Sequence, residues 1–232
     1  ISALVGIAQA EGHIGDLEEP IDKYVHVLKG SAYEGVRIKD VLQMSSGARW
    51  NEDYSDHTSE IYRLSAASGE GGSFDQFMAE MRREAMPGTR CMYNSADTQA
   101  LGMLVAFATG HSITDYMQDK LSTPLGMESP GYWLIDSRGR EAAFAGLLMT
   151  ARDFTKFGEC YRCGGNWQGQ QLIPGDYVEV SVQADAPHVQ PGGPIVGDHA
   201  FGPGYGYQWW LPDGGLGDYS AIGVYNQYIY VD

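Results

Sequence analysis

Apolar residues recur at helical spacing through the first two thirds of the chain, and the pattern changes after residue 165. Residues 1–10 read as the end of an apolar helix, closed by Gly12 and Gly15. Residues 14–27 form a polar connection whose acidic group, Asp16, Glu18 and Glu19, suits a solvated face. A short amphipathic helix is predicted over 37–44, stopped at Ser45-Ser46-Gly47. Over 74–83, Phe74, Phe77, Met78 and Met81 share one helical face, and such a Met-aromatic stripe is a core face. Further helices are predicted over 101–109, over 113–120 with Ser112 as cap, and over 150–161. Thr150 or Asp153 sits near the start of that last one, and Gly164-Gly165 ends it. Beyond Gly165 the chain turns to Gly, Pro, Trp and Tyr, which reads as turns and strands, with 222–231 the clearest strand. Helices first and strands last predict an α+β fold.

Composition narrows the class. A chain of 232 residues is one large domain or two small ones and can bury a sizeable core. Hydrophobic residues at 43% and aromatics at 12% exclude a disordered chain. A net charge of −15 and a pI near 4.6 repel nucleic acid and anionic membrane surfaces, so neither is an expected partner. No apolar run approaches the ~20 residues that span a bilayer. The opening Ile1-Ser2-Ala3-Leu4 has neither an initiator Met nor a basic stretch, so it reads as neither a natural start nor a signal peptide. The compartment stays open, with the cytoplasm slightly favoured. Cys160 and Cys163 have redox or metal-ligand spacing, but no second Cys pair or His cluster completes a site. They read as buried or incidental thiols, and no metal or organic cofactor is expected.

The most specific candidate chemistry lies in Pro87-Gly88-Thr89-Arg90-Cys91-Met92-Tyr93-Asn94-Ser95. Pro-Gly-Thr makes a turn, and Tyr93 follows it just before an apolar helical run. A helix start presents backbone N–H groups and a positive dipole end, which favour a phenolate. From the residues alone, a Tyr packing its ring under a loop is the favoured reading.

Several segments, taken in order, resemble the serine hydrolases of the β-lactamase and penicillin-binding fold. The nearest branch is the 6-aminohexanoate-dimer (nylon-oligomer) hydrolases and their esterase relatives. Ser2-Ala3-Leu4-Val5-Gly6 with Glu11-Gly12 is similar to the helix that follows the nucleophile. Ile38-Lys39-Asp40-Val41-Leu42 with Ser45-Ser46-Gly47 resembles the segment before the active-site loop. Pro87-Gly88-Thr89 with Tyr93 and Leu101-Gly102 resembles the tyrosine motif. Pro124-Leu125-Gly126-Met127, Thr150-Ala151-Arg152-Asp153 and Gly204-Tyr205-Gly206-Tyr207-Gln208-Trp209-Trp210 complete the series. The implied fold is an antiparallel sheet flanked by helices plus a mostly helical region, incomplete at both ends. A single domain over 1–232 is implied, with the helical region at about 35–130 and the α/β region at 1–34 and 131–232.

The resemblance implies a Ser-x-x-Lys pair, with Ser as acyl-forming nucleophile. None of the five lysines, Lys23, Lys29, Lys39, Lys120 and Lys156, has a Ser three residues before it. The pair is therefore expected before Ile1, and the 232 residues alone are expected to be inactive and poorly soluble or partly molten. The resemblance makes Tyr93 the catalytic proton shuttle. Tyr54, in Asn51-Glu52-Asp53-Tyr54, would bond the scissile amide and help to protonate the leaving nitrogen. Glu52, Asp53 and Asp56 read either as a solvated face or as an attraction for a substrate ammonium. Ser95 stands where many relatives have Asn, and Phe144 where the nylon-oligomer branch carries a polar substrate contact. The family's Lys-Thr-Gly or His-Thr-Gly triplet falls on Ala221-Ile222-Gly223. There Gly223 would admit the substrate and the Val224 N–H would serve the oxyanion hole. Ala221 gives no cation for a substrate carboxylate, which argues against β-lactam and cell-wall substrates. Trp209 and Trp210 are expected to pack the sheet, with a place in the acyl pocket as the alternative. The implied function is hydrolysis of a small linear amide or ester through an acyl-enzyme, with a homodimer an open option. A non-catalytic binding protein on the same fold and a β-lactamase are the alternatives.

Overall fold

A computed structural model describes residues 1–196, 199–200, 202–214 and 216–232. Among these, the helices are α1 (Ser2–Ala10), α2 (Ile38–Leu42), α3 (Glu60–Ala66), α4 (Phe74–Glu80), α5 (Ser95–Thr109), α6 (Ile113–Met117), α7 (Ala151–Arg162) and α8 (Gly175–Ser181). The strands are β1 (Tyr132–Trp133), β2 (Leu147–Leu148), β3 (Asn166–Trp167), β4 (Gln170–Gln171), β5 (Pro194–Val196), β6 (His199–Ala200), β7 (Gly204–Tyr205), β8 (Trp210–Leu211), β9 (Tyr219–Ile222) and β10 (Tyr228–Val231). The arrangement is α+β, with helices packed on an antiparallel sheet in the order β10-β9-β8-β7.

Helix α5 is the centre of the molecule. It begins six residues before the predicted apolar run, because Asn94 caps it, accepting from the Ala96 N–H at 2.8 Å. Its first turns carry the buried polar residues Ser95, Asp97 and Gln99, each with a partner elsewhere in the fold. These side chains hide the helix from a hydrophobic pattern while fixing it in place. Helix α1 packs on α5 and buries Leu4, Val5, Ile7 and Ala8. The chain past α5 folds back at Gly102, where an added Cβ would lie 2.4 Å from Ala143 Cβ. The Gln99 side-chain amide straps that return segment down, donating to Glu141 O at 3.1 Å and accepting from Ala143 N at 2.8 Å.

Three expectations are corrected. Residues 222–231 are not one strand: β9 ends at Ile222, and a turn through Gly223–Gln227 leads into β10. The turn closes by a Gly223 N–H to Gln227 O bond of 2.8 Å, with Asn226 in the left-handed region at φ 62°. The β-branched and aromatic content was read as continuous strand, but Gly and Asn decided the local geometry. Helix α8 lies where turns and strands were expected. Its Val178 and Val180 are poor helix formers, and tertiary packing overrides them. Tyr177 lies against Gly6 of α1, where a Cβ would come within 2.5 Å of the ring, and its hydroxyl bonds Ser2 O at 2.9 Å. The helix predicted over 113–120 is also shorter, as α6 ends at Met117 and Gln118–Ser122 continues as a π-type turn.

On one face of the sheet, α7 crosses β10 so closely that a Cβ on Gly158 would lie 2.9 Å from Ile229 Cγ2. Strand β10 is a sheet edge among the described residues, with Tyr228 and Tyr230 exposed. Cys91 and Cys160 are buried and Cys163 is exposed, all as free thiols.

Candidate active site

The extended strap before α5 is held at three points. Gly88 N–H donates to Ser45 O at 2.8 Å, Met92 N–H to Met44 O at 2.8 Å, and Tyr93 N–H to Ile195 O at 2.6 Å. Backbone bonds of this kind fix the Tyr93 Cα, and aromatic packing fixes its ring. The ring stacks on Trp210 of β8 with centroids 5.1 Å apart and meets the edge of Tyr205 of β7 at 6.3 Å. Met44, Cys91, Val189 and Ile195 complete the small core behind it. Trp210, expected to pack the sheet, forms the bed of Tyr93.

In front of Tyr93 opens a cleft of about 420 Å³. Four separate stretches of chain build it: the loop and helix with Tyr54, Ile61, Tyr62 and Ser65; the α5 start with Tyr93 and Ser95; the return segment with Phe144 and Ala145; and the β9 end and turn with Ile222, Gly223, Val224, Tyr225 and Gln227. All six residues singled out from the sequence, Tyr93, Tyr54, Ser95, Phe144, Gly223 and Val224, line it. Phe144 reaches the cleft because Gln99 and Gly102 hold its neighbour Ala143, and it packs edge-on to Phe74 at 5.9 Å. Val224 lies in the β9–β10 turn, is half exposed, and its N–H donates to no described residue. At Gly223 a Cβ would come 2.3 Å from the Gln227 side chain, so the missing side chain makes room for Gln227 at the rim.

The polar wall is organised by Glu52, which sequence reading had grouped with Asp53 and Asp56 as a solvated or ammonium-attracting run. The structure separates the three. Asp53 Oδ1 accepts from Ser55 and Asp56 Oδ1 from Thr58, closing local turns on exposed chain. Glu52 turns inward. Its Oε1 accepts from the Tyr54 hydroxyl at 2.6 Å and from the Ser95 hydroxyl at 2.6 Å. Its Oε2 accepts from Ser95 N–H at 3.2 Å and from Trp50 Nε1. Trp50, Glu52 and Tyr54 are spaced by two, the period that puts side chains of an extended segment on one side. That spacing was the signal in the sequence. Tyr62 also went unnoticed; its hydroxyl donates to Tyr54 O at 2.9 Å and holds the loop against α3.

Electrostatics favour the neutral phenols. Burial, and then the negative charge of Glu52, push the Tyr93 hydroxyl above its ordinary value. The same two causes, with Tyr93 as a further one, raise Tyr54. No lysine or arginine is among the lining residues, and among the described residues no group of three or more His, Cys, Asp or Glu is placed to hold a metal. Among the described residues no helix is long and apolar enough to cross a membrane. The Tyr54 proton is engaged by Glu52, so the expected role of Tyr54 as proton donor to a leaving nitrogen does not fit this arrangement.

Comparison with known proteins supplies the family. The chain is 28% identical over 237 residues to the 6-aminohexanoate-dimer hydrolase of Paenarthrobacter ureafaciens, covering 99% of this chain and 59% of that protein. A solved structure described as "Putative 6-aminohexanoate-dimer hydrolase from Bacillus anthracis" superposes with a TM-score of 0.86 at 25% identity, over 100% of this chain and 61% of that one. A family VIII carboxylesterase shares the fold, with a TM-score of 0.76 at 13% identity over 100% of this chain and 71% of that one. The chain thus spans about three fifths of the length of the first two. The family model described as Beta-lactamase matches residues 1–232, every position of the chain, and the chain belongs to that family.

Proposed function

We propose that the protein is a serine hydrolase that cleaves small linear amides or esters through an acyl-enzyme, with the Tyr93 cleft as its reaction site. The observation that supports this best is the convergence of Tyr93, Tyr54, Ser95, Phe144, Gly223 and Val224, from four stretches of chain, on one opening. In this reading a serine hydroxyl attacks the substrate carbonyl, forming a C–O bond, and its proton passes through Tyr93 to the departing amine or alcohol. Water then releases the acyl group by the reverse relay. The Val224 N–H, with no acceptor among the described residues, is the donor to the developing oxyanion.

Burial and Glu52 hold Tyr93 as the neutral phenol, so a cation beside it is needed to bring it within reach of giving up its proton. In the proposal that cation is the lysine of a Ser-x-x-Lys pair contributed by sequence before Ile1, and residues 1–232 alone are inactive. The relative from Paenarthrobacter ureafaciens points to 6-aminohexanoate oligomers as model amides. A lining without Lys or Arg, and Ala221 in place of a cation, weigh against β-lactams. A fluorophosphonate probe applied to the longest natural form of the protein should label one serine outside 1–232 and abolish hydrolysis of p-nitrophenyl esters. If no serine is labelled and those esters are untouched, the reading is wrong.

A further inference from the structure

We infer that Gln208 is a positioning residue for Tyr93: it pins the β7–β8 turn to both α2 and α5 and so keeps Trp210 beneath the Tyr93 ring. This deepens the proposed function, on which it rests, by naming a residue outside the cleft that governs the proton relay. Gln208 sits in the left-handed region at φ 66°, where a side chain is strained and a glycine is not. Its side chain makes hydrogen bonds that no glycine could make. The Oε1 accepts from the Thr98 hydroxyl of α5 at 2.7 Å, and the Nε2 donates to Leu42 O, at the end of α2, at 3.2 Å. The Gln208 backbone N–H donates to the same Leu42 O at 3.1 Å. Strain held in place from both sides in this way marks a position whose geometry matters.

What the turn holds is the bed of the ring. Trp210 pairs with Tyr205 across the β7–β8 ladder and stacks on Tyr93 at 5.1 Å. Tyr93 hangs from the same corner of the chain, since Met92 N–H donates to Met44 O just past Leu42. Met44 is also left-handed, at φ 54°. Ring and bed thus share one anchor at residues 42–44, and Gln208 is the link on the side of the bed. Thr98 ties that link to α5 one turn along from Ser95, which lines the cleft. Gln208 also lines a cavity of about 210 Å³ with Ile1 and Ser2, at the start of α1. In the proposed function the serine comes from that end of the chain, so Gln208 borders both partners of the relay. Proton transfer needs heavy atoms within hydrogen-bond reach, and a ring free to slide on its bed loses rate more than affinity.

The test uses the full-length protein, p-nitrophenyl butanoate as substrate, and two substitutions. Gln208→Gly relieves the strain while cutting both side-chain tethers, so the melting temperature should stay nearly unchanged. Its kcat should nevertheless fall by about 10–10²-fold with KM within about twofold of wild type, a split that a merely structural role would not give. Thr98→Val removes only the hydroxyl that Gln208 accepts, at a residue that lines no part of the cleft. It should lower kcat severalfold alone and add no further loss in the Gln208→Gly background, because it acts through that side chain. Fluorine NMR of the protein with fluorotyrosine in place of Tyr93 reads the ring without any turnover. The wild type should give a single sharp line, and both variants a broadened or doubled one. A kcat for Gln208→Gly within about threefold of wild type, losses that add in full, or an unmoved fluorine line overturns the inference. Thr98→Val keeps the test decisive if Gln208→Gly fails to fold. Should the wild type hydrolyse no ester, the proposed function fails, and the fluorine line alone decides whether Gln208 holds the ring.

Discussion

Two carboxylates in this molecule each accept hydrogen bonds from one tyrosine and one serine, yet they do different work. Glu52 takes the hydroxyls of Tyr54 and Ser95 on the cleft wall. Asp97 takes those of Tyr33 at 2.8 Å and Ser46 at 2.6 Å in the core, where it is wholly buried. The two sit at the first turn of the same helix, α5, because Ser95 is held by one and Asp97 is the other. In the core array every group faces protein, so its hydrogen bonds join α5 to the segments carrying Tyr33 and Ser46. In the cleft array Tyr54 and Ser95 also border the opening. The same chemical unit is enclosed on every side in one place and borders open space in the other.

Removing each carboxylate separates the two roles, and the largest effect should come from the core. Asp97→Ala leaves two buried hydroxyls without their acceptor and should lower unfolding free energy by about 2–5 kcal/mol. Glu52→Ala, at a half-open site that water can reach, should cost only about 1 kcal/mol while disturbing ligand binding more strongly. Urea titration of both variants checks this, and equal losses would erase the distinction.

The second effect is in pH. Burial raises the Asp97 carboxyl from 3.8 to about 7, against the opposing hydrogen bonds from Ser46 and Tyr33. A carboxyl that holds its proton more tightly when folded adds stability that is full below about pH 4 and lost as the pH rises toward 7. The wild type should therefore lose up to roughly 4 kcal/mol between those values relative to Asp97→Asn, which cannot titrate there. A constant difference between the two across that range would contradict it.

The smallest expected effect on stability lies on the cleft side. Gly223→Ala meets only the flexible end of Gln227, so it should change stability by less than about 1 kcal/mol. The displaced Gln227 would crowd the rim it lines, and ligand affinity should fall severalfold. A loss of stability without a loss of affinity would place Gly223 with the scaffold.

What was legible in the chain follows from the same contrast. Periodic apolar faces revealed α2, α4 and α7, and the Thr150 and Ser112 caps were read from residue type. The Tyr93 motif was visible because a turn, an aromatic and a helix start coincide within nine residues. The early turns of α5 were hidden, since Ser95, Asp97 and Gln99 look like loop residues until their distant partners are known. Helix α8 was hidden for a related reason: Tyr177 is helical because Gly6, far away in sequence, leaves room for its ring. Glu52 was misjudged because neighbouring Asp53 and Asp56 made it part of a charge run, although its spacing to Trp50 and Tyr54 set it apart. Local chemistry could be read locally; partners more than forty residues away could not.

The account stands most directly on Tyr93 as the group that moves the proton. Turnover by Tyr93→Phe in the full-length protein, measured on an ester and an amide, tests it. The loss of one hydroxyl from a stacked ring should leave the melting temperature nearly unchanged and cut kcat by about 10²–10⁴-fold on both substrates. Turnover within about threefold of wild type from a folded Tyr93→Phe would contradict the account.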